Sequence, residues 1–272
     1  MSDRDSVTVA IVGAGEMGAA VGRRLREAGA RVVTSLAGRS AESVARVRDA
    51  GLEIVDDYDA LVRDASFVLS IVPPGVAVEV AELLRGPLSR AQSKPVYVEC
   101  NAISPATCRH ICGLLDATTN FIDAGIIGGP PAADTQDPAK GPRFYASGAD
   151  AHLFMRLAGF GLDIAILDGP VGAASGLKLS YAGLTKGFTA LCATMLGAAE
   201  REGLADALRA ELARSQPSFL ARMERALPDM WPKAYRWVAE MRQIAEFVGS
   251  PDEGATIYEG AALLYQRIAS SS

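Results

Sequence analysis

Apolar runs of four to six residues, parted by glycine and by polar helix-forming stretches, fill the first two thirds of the chain. Residues 7–12 (VTVAIV) have the length and near-unbroken apolar character of a buried strand, and 17–28 follow with a helical pattern closed by Gly29. Residues 31–35 predict a second strand. Ser40 is placed as the N-cap of a helix that runs through Asp49 and stops at Gly51. Further strands are expected at 67–72, 96–100, 121–123, 144–147 and 164–167, and Ser104 followed by Pro105 opens another helix with proline at its first position. Strands alternating with helices of this length imply a parallel sheet covered on both faces. Strand signals cease after Asp168. Residues 173–200 then read as one long helix without proline, and 204–214, 217–226, 234–248 and 254–268 are also helical. Trp237, Met241, Ile244 and Val248 recur at helical spacing, as a core stripe does. The expected organisation is an α/β domain over 1–170 and an all-α domain over 171–272.

Composition narrows the function classes. The chain has 272 residues, 49% hydrophobic and 22% charged, which is the balance of a globular protein. Its net charge of −5 gives no general attraction to nucleic acid or to an anionic membrane, so neither is expected as a partner. Residues 188–199 form the longest weakly polar stretch, shorter than the ~20 residues of a spanning helix. The opening residues carry acids early and run directly into a strand, unlike a signal peptide, so the expected location is the cytoplasm. The four cysteines fit a reducing compartment. Cys108, His110 and Cys112 are too few ligands, on diverging helix faces, for a zinc site, and no metal is expected.

Gly13-Ala14-Gly15-Glu16-Met17-Gly18 is G-x-G-x-x-G, placed after an apolar strand and at the opening of a helix. In that context it reads as a Rossmann-type dinucleotide turn in a doubly wound parallel sheet. Gly13 makes the tight turn, Gly15 lets the backbone approach a pyrophosphate, and Gly18 lets helix and strand pack closely. The phosphates then lie at a helix N-terminus, which is how an acidic protein holds a polyanion. The second strand ends in Ser35-Leu36-Ala37-Gly38-Arg39-Ser40, without the acid that grips the ribose of NAD. Arg39 and Ser40 are suited to a 2′-phosphate, so NADP is the expected cofactor, with NAD as the alternative.

Four ordered segments resemble the β-hydroxyacid dehydrogenases, the family of 3-hydroxyisobutyrate and 6-phosphogluconate dehydrogenases. IVGAGEMG (11–18) resembles the family's opening, and VECNAISP (98–105) its turn after the fifth strand. FIDAGIIGGPP (121–131) resembles its substrate loop, and GAASGLKLSYAGLTKG (172–187) the start of its interdomain helix. The tail, with RWVAEM and YEGAALLYQRIA, resembles a branch whose C-terminal domain is phosphogluconate-dehydrogenase-like and has no assigned substrate. The resemblance implies hydride transfer between a nicotinamide and a hydroxyl or carbonyl carbon, with Lys178 as general acid/base. It places Val72, Pro73 and Asn101 beside the cofactor, and Asn101, Ile127, Gly128 and Gly129 at the substrate. Turn-forming chemistry is an equal reading of Asn101. The implied assembly is a homodimer formed through the long helices.

Two positions depart from the family pattern. Ile127 replaces a serine, and Ala182 replaces the asparagine four residues after the lysine, so the pocket is less polar. Tyr181 and Thr185 share the helical face of Lys178 and are candidates for the missing polar contact, while Lys186 is either solvated or faces a partner subunit. The leading reading is therefore an NADP-dependent oxidoreductase of the CH–OH class acting on a small molecule less polar than a simple hydroxyacid. An imine reductase and a non-catalytic NADP-binding protein are the alternatives, and retention of Lys178 weighs against the first of these.

Overall fold

A computed structural model describes residues 7–36, 40–115, 119–134, 137–249 and 253–271. The chain forms two compact units, Met1–Lys178 and Leu179–Ser272.

The first unit is built on strands β1 (Thr8–Val12), β2 (Arg31–Ser35), β3 (Glu53–Val55), β4 (Phe67–Ser70), β5 (Val96–Glu99), β6 (Phe121–Ile127), β7 (Arg143–Ser147) and β8 (Asp163–Ile166). They form one sheet in the order β3-β2-β1-β4-β5-β6-β7-β8. Helices α1 (Glu16–Glu27), α2 (Ala41–Ala50), α3 (Tyr58–Arg63), α4 (Ala77–Arg90) and α5 (Pro105–Leu114) connect the parallel strands. Alternate residues of β1 divide between the two faces. Val9 and Ile11 join a core with Val21 and Leu25 of α1, whereas Ala10 and Val12 join a second core with Leu61, Leu84 and Ile111 of α3, α4 and α5. That alternation is what a strand covered on both faces requires.

The sheet is not wholly parallel, as the sequence pattern suggested. β7 runs antiparallel to β6, and β8 is parallel to β7. Among its described residues the connection from β6 to β7 has only the short 3-10 turn Pro138–Lys140 and no crossover helix, and strands joined without a crossover pair antiparallel. Gly128 opens this connection with φ of +126°; a side chain there would meet Pro142 Cα at 2.9 Å. β3 carries no strand signal in the sequence because it has three residues at the sheet edge, of which Ile54 is exposed.

One rung crosses five strands. Val12 pairs with Ser70, Ser70 with Glu99, Glu99 with Asp123, and Asp123 with Ser147. The four polar members of this rung are all fully buried. Helix α6 (Ala173–Arg201) begins on it. Asp123 Oδ2 accepts from Gly172 N at 2.8 Å, Ser175 N at 3.1 Å and Ser147 Oγ at 2.9 Å, and Oδ1 accepts from Ser175 Oγ at 2.6 Å. Ala174 N donates to Ser147 Oγ at 3.0 Å. The amides that a helix start leaves unmade are thus satisfied by a strand carboxylate and a strand hydroxyl.

The second unit holds most of α6 with α7 (Ala205–Ser215), α8 (Pro217–Met230), α9 (Ala234–Val248) and α10 (Glu253–Ser270). Met241 and Ile244 are buried and Trp237 stacks edge-on against Tyr265 with centroids 5.1 Å apart, while Val248, at the helix end, is exposed. Lys186 is neither solvated nor unpartnered within the chain. Its ammonium pairs with the buried carboxylate of Glu240 and lies 5.5 Å from the Trp237 ring centre. Among the described residues, no helix is long and apolar enough to cross a membrane.

Replacing Asp123 by Asn removes the charge and turns one of the two acceptor oxygens into an NH2 donor, which faces Ser175 Oγ in one orientation and the other three donors in the flipped one. Charge-assisted bonds of this kind contribute ~1.5–3 kcal/mol each, so D123N is expected to lose about 3 kcal/mol after relaxation. Thermal unfolding should show a midpoint roughly 5–10 °C lower, with a smaller drop for Ser147→Ala.

Candidate active site

The glycine turn follows β1 and supplies the N-cap of α1. Gly13 has φ of +104°, and a Cβ on it would stand 2.1 Å from Ile71 O and 2.8 Å from Val72 Cγ1. A Cβ on Gly18 would stand 2.0 Å from Gly13 O. Both are therefore glycine because protein packing demands it. Gly15 is different from these two: among the described residues, chain neighbours aside, no atom lies within 4 Å of where its Cβ would be. Gly15 is exposed, its backbone is extended, and as N-cap it offers no side chain to the first amides of α1. The space and donors at this helix start suit the pyrophosphate of a dinucleotide. Ala14 is buried in the sheet core, Glu16 is exposed, and Met17 is half-buried against that core.

Ser40 caps α2, its Oγ accepting from Ser43 N at 3.3 Å. It is exposed, and the same hydroxyl keeps capacity for a further partner. Arg39 lies outside the described residues.

β4 ends beside the glycine turn. Ile71 N donates to Val12 O at 2.8 Å, so the β4 exit is tied to the β1 exit. Val72 is buried and Pro73 is exposed, capping a single turn of tight helix over Pro74–Val76. Asn101 is buried behind this exit. Its Oδ1 accepts from Val72 N at 2.6 Å and its Nδ2 donates to Ser70 Oγ at 3.0 Å. The side-chain amide thus ties the β5 exit to the β4 exit and fixes the Val72–Pro73 segment.

Behind Asn101 stands Glu99. Its Oε1 accepts from Asn101 N at 3.0 Å and its Oε2 from Tyr97 Oη at 3.3 Å. Burial pushes this carboxyl up to about 8, the two amide and hydroxyl donors opposing the shift and nearby Asp123 adding to it. Burial also pushes up Tyr97, Cys100 and Cys108. Cys108 is buried and His110 on the same helix is exposed.

Gly125 lies two residues after Asp123 and shares its face of β6. A Cβ there would stand 2.7 Å from Ala174 O and 3.0 Å from Lys178 Cβ. Gly125 therefore admits the first two turns of α6 to direct contact with the strand, and Lys178, half-buried, stands against it. Ile127 is half-buried where β6 ends, and the exposed Gly128 and Gly129 follow. Nothing lies within 4 Å of a Cβ on Gly129. The structure thus assembles Lys178 with the β6 exit, and Asn101 with the Val72–Pro73 segment and the glycine turn. Further along α6, Tyr181 is half exposed, and Thr185 Oγ1 donates to Tyr181 O at 2.9 Å, bonding back to its own helix. Ala182 is buried.

Sequence reasoning did not single out Glu99, Asp123, Gly125, Ser147 or Ser175. A usable signal existed for two of them: a carboxylate inside an apolar strand, in VYVEC and in FIDAGII.

Residues 8–154 match the family described as the NAD binding domain of 6-phosphogluconate dehydrogenase, and 199–268 match a domain of unknown function, DUF1932. A solved conserved protein of unknown function, described as structurally similar to 3-hydroxyacid dehydrogenases, is 30% identical, with a TM-score of 0.71 over 97% of this chain and 99% of its own. Mycobacterium tuberculosis 3-hydroxyisobutyrate dehydrogenase with L-serine is 19% identical, with a TM-score of 0.71 over 97% and 94% of the two chains. The Aspergillus terreus reductive aminase in complex with NADPH and ethyl levulinate is 18% identical, with a TM-score of 0.55 over 98% and 95%. The last two share the fold. The chain belongs to the family of the 6-phosphogluconate dehydrogenase NAD-binding domain, a family of NAD(P)-dependent oxidoreductases, and carries a DUF1932 domain after it.

Proposed function

We propose that this protein is an NADP-dependent oxidoreductase that moves a hydride between the nicotinamide and a hydroxyl or carbonyl carbon, with Lys178 as general acid/base. The observation that carries the reading is Gly15, which follows β1 as the N-cap of α1 without a side-chain cap, and whose Cβ would meet no described residue beyond its chain neighbours. Bound there, the dinucleotide supplies or accepts the hydride. The chain's own residues do the rest. The α1 amides hold the phosphates, and the Gly13 turn and Val72–Pro73 segment orient the ring. In reduction Lys178 gives a proton to the substrate oxygen, and in oxidation it takes the hydroxyl proton. The absence of an acid at the end of β2, with Arg39 and Ser40 there instead, supports NADP over NAD.

Ile127 and Ala182 remove two polar groups from the substrate side, and Thr185 spends its hydrogen on its own helix. These features support a substrate less polar than a small hydroxyacid. The reductive aminase of the same fold makes an imine the second class to assay.

The α6 helix also supports a homodimer. Tyr181, Leu184, Phe188, Leu191 and Met195 recur at four- and three-residue steps, and Leu184 and Leu191 are 73% and 60% exposed. Such an apolar seam calls for a partner helix.

Titration by dinucleotide fluorescence should show NADPH bound more tightly than NADH. Arg39→Ala is expected to remove about 1.5–3 kcal/mol of that preference, and Gly15→Val to abolish binding of both. Equal affinity for the two dinucleotides defeats the NADP assignment. In a NADPH-coupled screen of alcohols, ketones and imines, Lys178→Ala should lower turnover by at least about 100-fold with NADPH affinity intact. Gly125→Ala, which displaces Lys178 without touching the glycine turn, should lower kcat by about 10- to 100-fold. Light scattering should give a dimer for the native chain and a monomer for Leu191→Glu.

A further inference from the structure

The polar rung of the sheet sets two buried carboxyl groups side by side, Glu99 on β5 and Asp123 on β6. Two carboxylates cannot both be charged cheaply at such a spacing in an apolar interior. The donors decide between them. Asp123 accepts four hydrogen bonds, two from amides and one from a hydroxyl at the start of α6, and one from Ser147, which is a carboxylate's role. Glu99 accepts two, from Asn101 N at 3.0 Å and from a tyrosyl hydroxyl at 3.3 Å. The other titratable groups facing Glu99 are Tyr97 and Cys100 on its own strand and Cys108 on α5, and burial keeps all three neutral.

From Glu99 a short chain of contacts leads to the glycine turn. Glu99 holds the amide of Asn101. The side chain of Asn101 holds Val72 N at 2.6 Å and Ser70 Oγ at 3.0 Å. The Ile71–Val72 backbone and side chain fill the space against Gly13 so closely that no Cβ fits there. Each link is short, buried and without slack.

We propose that Glu99 is a positioning residue: as the neutral member of the Glu99–Asp123 pair it braces the Val72 segment and the Gly13 turn through Asn101, and placing a charge on it releases that brace and weakens dinucleotide binding. A charge on a fully buried group beside a second carboxylate is relieved by moving towards water, and the end of β5 that would move carries Asn101 with it. The shift of Glu99 to about 8 puts this release at the alkaline edge of the physiological range. The sign follows from the raised value: the neutral form and the brace are complete at lower pH and are lost as pH rises through it. This role rests on the dinucleotide reading for what the brace serves, while the brace itself is a property of the chain alone.

The test uses the full chain, NADPH titrations between about pH 6.5 and 9.5, and the variants Glu99→Gln and Tyr97→Phe. Native affinity should fall by up to about tenfold per pH unit above the midpoint, because only the braced fraction binds. E99Q, permanently neutral, should match native affinity at low pH and show no such fall. Y97F loses a donor that favours the charged form, so its midpoint should move to higher pH. If E99Q keeps the native pH profile, or the native profile is flat, the proposal is overturned. Hydrogen exchange at the Val72 amide, without dinucleotide, is measured in parallel as the ratio of native to E99Q at each pH. A ratio rising through the same pH supports the brace, and a constant ratio overturns it. Should neither chain bind NADPH at any pH while that ratio still rises, the brace stands and the NADP-dependent function falls.

Discussion

The grip of Asp123 on the first turn of α6 is the contact from which the rest of the site follows. A helix start exposes amides that must be satisfied, and a buried one has no water to do it. Here a carboxylate from the sheet meets Gly172 N, Ser175 N and Ser175 Oγ, and Ser147 completes the set. Three of the four donors belong to the start of α6, so the arrangement fixes its first turn against β6. Lys178 lies in the next turn. With Asp123 holding the start and Gly125 admitting the helix body against β6, the lysine's backbone has little freedom relative to the β6 exit. The proposed role of Lys178 as general acid/base calls for that constraint, since a small displacement of the reacting atoms costs rate steeply.

The same physics appears twice with opposite outcomes. The positive end of α6 is filled by the protein's own anion, whereas the positive end of α1 is capped by Gly15, which has no side chain to fill it. Both helices start where the carboxyl ends of strands gather, the place where open α/β sheets take ligands. For an acidic chain with net charge −5, the proposed polyanion site is thus a helix start without a side-chain cap rather than surplus lysine and arginine.

The alternation of strands and helices, the helical second unit and the G-x-G-x-x-G turn were legible in the sequence because they are written in local periodicity and glycine spacing. β3 was not, since a three-residue edge strand buries too little to impose a pattern. The antiparallel pairing of β7 was not, because the chain reverses within the irregular connection 128–142 and the strand's own pattern is silent on direction. Lys186 looked like a surface lysine; its partner Glu240 lies 54 residues along the chain, a separation that no local pattern can bridge. Asn101 was legible as important but not in its role. The sequence places it between strand and helix, and only the fold shows Ser70 and Val72 closing on its two amide atoms.

The glycines show most clearly what separates packing from chemistry. Gly13, Gly18, Gly125 and Gly128 each face a protein atom at 3 Å or less from an added Cβ, so the fold alone accounts for them. Gly15 and Gly129 are among the glycines that face none of the described residues. An exposed loop tolerates a side chain at such positions, and the backbone of Gly15 is in a region any residue adopts. Packing among the described residues therefore supplies no reason for glycine at Gly15, and its place at a helix start after β1 is what gives the empty position a meaning that Gly75, Gly113 or Gly260, equally open, do not have. Gly15 follows β1 and Gly129 follows β6, on either side of the Asn101 brace. In the proposed function the first receives the dinucleotide and the second the substrate, with Lys178 standing against Gly125 on the strand that leads to the second.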